Sequence, residues 1–161
     1  MRKVIIIGCP GSGKSTFARK LHEKSGLPLY YLDMIWWRDD KSTVSPGEFD
    51  EKLDKILAQD SWIIDGNYNR TLEMRVKECD TVFFLDLPVD MCVEGIKSRV
   101  GTKRDDMPWV ESCVDDEFLQ FVLDFEKDSK PHILQTLEKY PHKNTVVFRS
   151  HEEADGYFCV N

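Results

Sequence analysis

Residues 8–15 of the chain read GCPGSGKS, a stretch that fits the pattern G-x-x-x-x-G-K-S. A mainly β-branched run at residues 3–7 precedes it, and Phe17, Ala18 and Leu21 follow it at helical spacing. A strand, a glycine-rich loop and a helix in this order form an anion site, because successive backbone N–H groups then surround a phosphate at a helix N-terminus. The stretch therefore predicts a nucleotide-binding P-loop.

The residue types of this loop predict separate roles. The Lys14 ammonium is expected to reach the β- and γ-phosphate oxygens and to act in catalysis, while the Ser15 hydroxyl is expected to be a Mg²⁺ ligand. The residues predicted to bind the nucleotide are Gly8, Gly11, Ser12, Gly13, Lys14, Ser15 and Thr16.

Beyond the P-loop, four short apolar runs alternate with segments of helical periodicity. The runs occupy residues 29–32, 62–65, 81–85 and 145–148. Strands that alternate with helices indicate βαβ units around a parallel sheet. Neither a repeat nor a linker divides the 161 residues, which is about the length of one domain. The sequence predicts a single α/β domain, 1–161, with three layers and helices on both faces of the sheet.

Several other segments have recognisable patterns. SPGE at residues 45–48 predicts a capping box that opens a helix. Apolar residues at helical spacing over 118–125 predict one long helix from near Asp115 to about Lys139, bent near Pro131. The polar residues 38–45 are expected to form a mobile loop, and residues 101–116 are expected to form a lid.

Three acidic residues follow predicted strands: Asp33, Asp65 and Asp86. The carboxyl ends of parallel strands share the edge that carries the P-loop, so each of these residues is a candidate for the site. Asp65 directly follows Trp-Ile-Ile and is expected to hold Mg²⁺ through water. Asp33 is a candidate for contacts with a phosphoryl acceptor or, alternatively, a turn residue. For Asp86 we favour the alternative to a site role, which is that it ends the strand and leads into the next helix.

Four arginines are candidates for binding phosphoryl groups, because an arginine fork matches their oxygens. Arg99 and Arg104 bracket the expected lid and are predicted to be catalytic, the alternative being surface pairs with nearby acids. Arg70 and Arg75 follow Asp65 and are predicted to bind an anionic acceptor. The full predicted acceptor set is Asp33, Trp36, Asn67, Arg70 and Arg75.

The aromatic residues Trp36, Trp37 and Tyr68 have two interpretations. They are placed to stack on a planar substrate, but aromatic residues beside strand ends also serve as core or lid packing. The sequence leaves both interpretations open.

The composition is that of a folded protein, since 41% of the residues are hydrophobic and 32% are charged. Apolar runs such as residues 4–7 fall far short of the roughly 20 residues that a transmembrane helix needs. The apolar start of the chain is also too short for a secretory signal. We therefore expect a cytoplasmic protein.

The net charge of −7 argues against a general nucleic-acid binder. The acidic excess lies in residues 105–161, with 13 acidic and 5 basic side chains, whereas residues 1–104 carry 16 and 17. The five cysteines include no Cys-x-x-Cys pair and the four histidines lack ligand spacing. Structural disulfides and a zinc site are therefore not expected.

With these motifs, the chain resembles the adenylate kinase-like nucleoside monophosphate kinases. The P-loop at 8–15, Asp-Gly at the end of WIIDG (62–66), Leu-Asp-Leu-Pro at 85–88 and Arg-Asp-Asp at 104–106 carry the resemblance. Across nearly the whole chain it is also similar to bacterial DNA topology modulation proteins of the FlaR type, which are themselves adenylate kinase-related. The resemblance implies a sheet of order 2-3-1-4-5, ATP with Mg²⁺, and an acceptor site between residues 33 and 75.

The chain departs from adenylate kinases at two positions. Those enzymes have an arginine two residues beyond Asp-Gly, after Phe-Pro, whereas here residues 67–69 separate Asp-Gly from Arg70. They also carry an arginine seven residues after the strand-exit proline, where this chain has Gly95, although Arg99 is retained. The residues predicted to bind the nucleotide therefore match the adenylate kinases better than the residues predicted to bind the acceptor.

The leading hypothesis is an ATP-dependent phosphotransferase whose acceptor is a nucleoside monophosphate or another small hydroxyl or phosphate compound. It needs ATP, Mg²⁺ and the acceptor as partners, with a monomer favoured and neither a membrane nor nucleic acid expected. The alternative is a regulator that binds ATP without turnover and acts on DNA topology. ATP hydrolysis coupled to movement is less favoured.

Overall fold

The computed structural model describes residues 1–160. Within them, one parallel sheet has the strand order β2-β3-β1-β4-β5. The strands are β1 (Lys3–Gly8), β2 (Leu29–Tyr31), β3 (Trp62–Asp65), β4 (Thr81–Leu85) and β5 (Asn144–Phe148). Helices cover both faces of this sheet. The predicted three-layer α/β fold and its strand order are therefore confirmed.

The helices connect successive strands. They are α1 (Lys14–Ser25), α2 (Leu32–Trp36), α3 (Pro46–Leu57), α4 (Asn69–Glu78), α5 (Val89–Ser98), α6 (Asp116–Leu123), α7 (Phe125–Asp128), α8 (Lys130–Glu138) and α9 (His151–Val160). None of the helices in residues 1–160 has both the length and the apolarity needed to cross a bilayer.

Strand β1 lies at the centre of the sheet and explains the apolar run at the start of the chain. Its residues Val4 to Ile7 are completely buried, and Ile5 lies in register with Ile64 on one side and Val82 on the other. A strand covered on both faces reads as a continuous hydrophobic run rather than an alternating one. The P-loop that follows β1 is thus anchored at the middle of the domain.

Helices α1 and α9 pack together next to the sheet. The Phe17 ring centroid lies 4.9 Å from that of Phe83 and 4.9 Å from that of Phe158. Lys20 of α1 also forms an ion pair with Asp155 of α9, with 2.7 Å between Nζ and Oδ1. These contacts hold α1 in place, and its first turn is part of the site described below.

The long helix predicted over 115–139 is three helices in the structure. Asp115 caps α6, since its carboxylate accepts a hydrogen bond from the Phe118 N–H at 2.9 Å. The path then breaks at Asp124 and Ser129. Pro131 lies in the first turn of α8, where a missing N–H costs nothing, and therefore starts a helix instead of bending one.

The segment after β2 contains a helix that the sequence did not predict. Residues 32–36 form the short helix α2, which places Asp33 in a first helical turn. The predicted mobile loop at 38–45 contains local hydrogen bonds, among them Arg38 N–H to the Ser42 carbonyl at 2.8 Å. Ser45 caps α3 as predicted, accepting from the Glu48 N–H at 3.2 Å.

Candidate active site

A cleft of about 1510 Å³ lies along the carboxyl-terminal edge of the sheet. Most of its lining residues fall within 10–20, 31–41, 65–69 and 95–115. These segments lie at or directly after the ends of β1, β2, β3 and α5, so the topology brings together residues that are far apart in sequence. In open parallel sheets, ligands bind at this edge.

The first turn of α1 faces the cleft with its backbone donors available. Gly13 precedes the helix with φ of 91°, offers no side chain for a cap, and is followed by a first turn that contains no acidic residue. Gly13, Lys14, Ser15 and Thr16 all line the cleft. The positive end of the helix is thus open to an anion, and this arrangement fits a nucleotide phosphate.

Lys14 is held within the loop, where its Nζ donates to the Cys9 carbonyl at 3.0 Å. Two of the predicted nucleotide-binding residues lie behind this surface. Ser12 is completely buried, and Gly8 is paired through its N–H and carbonyl with the Asn67 side chain. Gly8 and Ser12 thus lie outside the cleft lining and shape the loop from behind.

Gly11 and Gly95 are in direct backbone contact. A Cβ atom added to Gly95 would lie 2.1 Å from the Gly11 carbonyl oxygen, and one added to Gly11 would lie 2.1 Å from the Cys92 carbonyl oxygen. Helix α5 therefore packs against the P-loop at a distance that only glycine permits. The sequence identified Gly95 only as a departure from the adenylate kinases.

Ser15, Asp65 and Asp106 form an oxygen cluster beside the P-loop. The Ser15 hydroxyl lies 2.6 Å from Asp65 Oδ2 and 3.0 Å from Asp106 Oδ2. Burial raises the pKa of Asp65 to about 6, although Lys14 and the Ser15 hydroxyl lower it. The other oxygen of Asp65, Oδ1, is buried and accepts no hydrogen bond from any residue in 1–160.

This cluster fits a magnesium ion, which binds through one or two carboxylates, a hydroxyl, water and substrate phosphates. Ser15 and Asp65, the two residues predicted to organise Mg²⁺, are both part of this cluster. Asp106 was not assigned to a metal from the sequence, because its distance of 91 residues from Ser15 hides the contact. The only signal was the Arg-Asp-Asp stretch at 104–106.

Arg99 and Arg104 both line the cleft and are joined through Glu111. Glu111 Oε2 lies 3.2 Å from Arg99 Nε and 3.7 Å from Arg104 Nη1. Burial and the neighbouring Arg104 lower the pKa of Arg99 below its ordinary value. The pair therefore lines the cleft and is also bound to a local acid.

The segment expected to form a lid crosses the mouth of the cleft. The Gly101 N–H donates to the Glu111 carbonyl at 2.7 Å, which closes the base of the segment. Farther along it, the Trp109 ring lies 5.3 Å from the Trp37 ring, edge to face, and 5.9 Å from Lys41 Nζ. Residues 101–115 thus span the cleft from the P-loop to the loop at residues 37–41.

On the opposite side of the cleft, Asp33 and Tyr68 form a hydrogen-bonded pair. The Tyr68 hydroxyl donates to Asp33 Oδ1 at 2.6 Å. Burial raises the pKa of Asp33 above its ordinary value, against this hydrogen bond and the Lys14 charge, which lower it. The Trp36 ring lies 6.2 Å from that of Tyr68, and all three residues line the cleft.

Neither Arg70 nor Arg75 lines the cleft, which corrects the predicted acceptor set. Arg70 is exposed and forms two hydrogen bonds to Asp50, at 2.6 and 2.9 Å. Arg75 is completely buried and donates to the carbonyls of residues 66, 67 and 68. Burial lowers its pKa to about 9. Arg75 positions the loop after β3 instead of binding an acceptor.

Asn67 is at the cleft, but its amide is already used. Its Nδ2 donates to the Gly8 carbonyl at 2.6 Å and its Oδ1 accepts from the Gly8 N–H at 2.9 Å. This reciprocal pair joins the loop after β3 to the start of the P-loop.

Asp86, the third acidic residue that follows a strand, lies outside the cleft lining. It forms an ion pair with Lys130, with 2.8 Å between Lys130 Nζ and Asp86 Oδ1.

Arg75→Met is expected to destabilise the fold by about 3 kcal/mol, because it leaves buried carbonyls without a donor. Arg70→Met is its control, and we expect a change within about 0.5 kcal/mol since an exposed ion pair contributes little. Urea unfolding of both variants measures this difference. Equal stabilities would show that Arg75 has no positioning role.

Two comparisons relate the chain to known proteins. It is 27% identical over 130 residues to an adenylate kinase of Thermotoga neapolitana, an alignment that covers 62% of this chain and 59% of that one. With an adenylate kinase of Thermotoga petrophila it shares 27% identity over 93 residues, or 53% and 39% of the two chains. The chain thus spans about three-fifths or less of the length of these curated relatives. No family model matches it.

Among solved structures, the chain is similar to shikimate kinase from Acinetobacter baumannii in complex with shikimate. The TM-score is 0.65 at 16% sequence identity, with 99% of this chain and 90% of that chain covered. At this level of identity the likeness concerns the fold. The chain is therefore similar to adenylate kinases in sequence and has the fold of a P-loop kinase.

Proposed function

We propose that this protein is an ATP-dependent phosphotransferase that moves the γ-phosphoryl group of Mg·ATP to a small acceptor. The proposal rests mainly on one observation. The open first turn of α1, with Lys14 and the cluster of Ser15, Asp65 and Asp106, faces the Asp33 side of the same cleft. A phosphate donor and an acceptor bound at these places would be neighbours.

The nucleotide would be held by the P-loop. The backbone N–H groups of residues 13–16 would bind phosphate oxygens, and Lys14 would exchange its bond to the Cys9 carbonyl for a phosphate contact. Ser15, Asp65 and Asp106 would hold Mg²⁺, which supplies charge neutralisation and orientation of the phosphates. Phosphoryl transfer needs mainly such positioning and little covalent chemistry from the protein.

Arg99 and Arg104 would stabilise the transferring phosphoryl group. Both guanidinium groups are largely buried beside Glu111, so their positions are set before a substrate binds. Fixed charges aimed at the place where charge develops are the most effective electrostatic catalysts. The segment at 101–115 would act as a lid that excludes water and so limits hydrolysis.

The partners proposed are ATP and a small-molecule acceptor, for a monomer in the cytoplasm. The direct test is transfer of radiolabelled phosphate from Mg·ATP to a panel of nucleoside monophosphates and small hydroxyl compounds. Transfer to an acceptor at about 1 to 100 per second would support a kinase. Tight ATP binding without transfer to any acceptor would instead favour the nucleotide-binding regulator.

Asp106→Asn is expected to weaken Mg²⁺ affinity in the presence of a non-hydrolysable ATP analogue by about 10- to 100-fold, since a ligand or its direct support is lost. Hydrogen exchange at residues 101–115 should then respond less to Mg²⁺, because the lid loses its contact with Ser15. The exposed neighbour provides the control, Asp105→Asn. Equal Mg²⁺ dependence in both variants would remove Asp106 from the metal site.

A further inference from the structure

The first residue of helix α9, His151, contacts the P-loop although 139 residues separate it from Ser12. Its Nε2 lies 3.2 Å from the Ser12 carbonyl oxygen. A Cβ atom added to Gly13 would lie 3.5 Å from the same nitrogen, so the imidazole also packs against the next residue of the loop. His151 lines the cleft, and the phosphotransferase proposed above gives this side chain no role.

The two atoms of this contact fix the direction of the hydrogen bond. A carbonyl oxygen can only accept, so Nε2 of His151 carries a proton and donates it to the Ser12 carbonyl. Nε2 is protonated in one neutral tautomer of histidine and also in the imidazolium. The bond therefore does not require a charged side chain.

Helix α9 is fixed, so the position of His151 is fixed with it. At the start of the helix, the Ser150 hydroxyl accepts from the Glu153 N–H at 3.2 Å, and the Glu153 carboxylate accepts from the Arg149 N–H at 2.7 Å. Further along, the ion pair and the ring contact described above join α9 to α1. The imidazole is therefore held beside the helix whose first turn faces the cleft.

The Ser12 carbonyl and the Gly13 N–H belong to one peptide group. This peptide is trans, so its C=O and its N–H point in opposite directions. With the carbonyl turned toward His151, the Gly13 N–H points away from α9, and no residue in 1–160 accepts a hydrogen bond from it. A peptide next to glycine rotates more freely than others. The bond from His151 therefore restricts the direction of a free donor.

We propose that His151 is a positioning residue of the P-loop, which holds the Ser12 carbonyl and so keeps the Gly13 N–H directed at the phosphates of the nucleotide. This inference rests on the proposed binding of a nucleoside triphosphate, and it makes the last helix a part of that site. A donor that is aimed before the ligand arrives needs no reordering on binding, which increases affinity. The gain concerns the phosphate chain and not the base or the ribose.

Calorimetric titration with Mg·ATP and with Mg·tripolyphosphate tests this role. Tripolyphosphate has the phosphate chain without base or ribose, so a contact between His151 and the nucleoside cannot affect its binding. His151→Leu removes the donor, whereas His151→Gln places an uncharged amide nitrogen near the position of Nε2.

His132→Leu is the matched control for these variants. His132 Nε2 also lies 3.2 Å from a backbone carbonyl oxygen, that of Asn69. His132 belongs to α8 and lies outside the cleft lining. The control therefore loses the same kind of bond at another place, and urea unfolding compares the stabilities of all three variants.

We expect His151→Leu to weaken the binding of ATP and of tripolyphosphate by the same factor, about 3- to 10-fold, as for the loss of one hydrogen bond. His151→Gln should bind both ligands within about twofold of the wild-type affinity. His132→Leu should keep the wild-type affinities and lose a similar amount of stability in urea.

Several results would overturn the role of His151 and leave the proposed function intact. Unchanged tripolyphosphate binding in His151→Leu would do so, whether ATP binding falls or not, because a loss for ATP alone indicates a contact with the nucleoside. An equal loss in His151→Gln would indicate a need for the charge or the ring, and an equal loss in His132→Leu would indicate general destabilisation. Wild-type binding of ATP without tripolyphosphate would contradict a loop already aimed at phosphates. Binding of neither ligand would overturn both proposals.

Discussion

Lys14→Ala is expected to reduce phosphoryl transfer from Mg·ATP by at least about 100-fold, because it removes a fixed positive charge from the site where charge develops on the phosphates. Within the described residues, Lys14 is the one basic side chain of the loop at 8–15, and its Nζ is already held at the loop by the Cys9 carbonyl. The other basic groups that line the cleft are Arg19, Lys20, Lys41, Arg99, Lys103, Arg104 and His151. These groups lie elsewhere in the cleft and cannot take the place of the Lys14 ammonium.

Radiolabel transfer measures this change, and unfolding by urea checks that the variant is folded. Lys24→Ala is a suitable control because Lys24 lies on the same helix, α1, but outside the cleft lining. We expect that control to retain the wild-type rate. If Lys14→Ala kept more than about a tenth of the wild-type rate, the P-loop would not be a catalytic site of the usual kind.

Gly95→Ala is expected to destabilise the protein by about 3 kcal/mol and to weaken ATP binding, because the new methyl group has no space. Its Cβ would lie 2.1 Å from the Gly11 carbonyl oxygen, which belongs to backbone and cannot rotate away. Helix α5 or the P-loop must therefore move. A shift of the loop changes the directions of its N–H groups toward the phosphates, so affinity falls together with stability.

Gly47→Ala provides the matched control for this prediction. Apart from Gly47 itself, its chain neighbours and the adjacent helix backbone, no described atom lies within 4 Å of a Cβ added to Gly47, which is in the first turn of α3. The control should be neutral or stabilising by about 0.4–1 kcal/mol, since alanine reduces the entropy of the unfolded chain. Thermal unfolding and ATP titration of both variants measure the difference. Wild-type values for Gly95→Ala would contradict the close contact between α5 and the loop.

The position of Gly95 also explains one departure from the adenylate kinases. An arginine at this position would begin with the same Cβ and would meet the same carbonyl. Helix α5 can therefore pack closely against the P-loop only because position 95 is a glycine.

The strands and the P-loop were predictable from the sequence because their signals are local. A β-branched run such as residues 3–7 and the glycine spacing of 8–15 lie within single elements, and the strand limits agree with the structure within a residue or so. The helix over 115–139 was not predicted well. Apolar periodicity continues through its two breaks, and the breaks occur where α6, α7 and α8 turn to pack on different neighbours.

The sequence by itself determined that this chain is an α/β protein with a P-loop, because strand periodicity and loop glycines depend on neighbouring residues. Only the tertiary structure decided which charged groups face the cleft. The fold places Asp106 beside Ser15, which is 91 residues away in the chain, and it buries Arg75 in the core. The direction of a long side chain depends on the partners that the fold brings within hydrogen-bond distance, and spacing along the chain does not encode those partners.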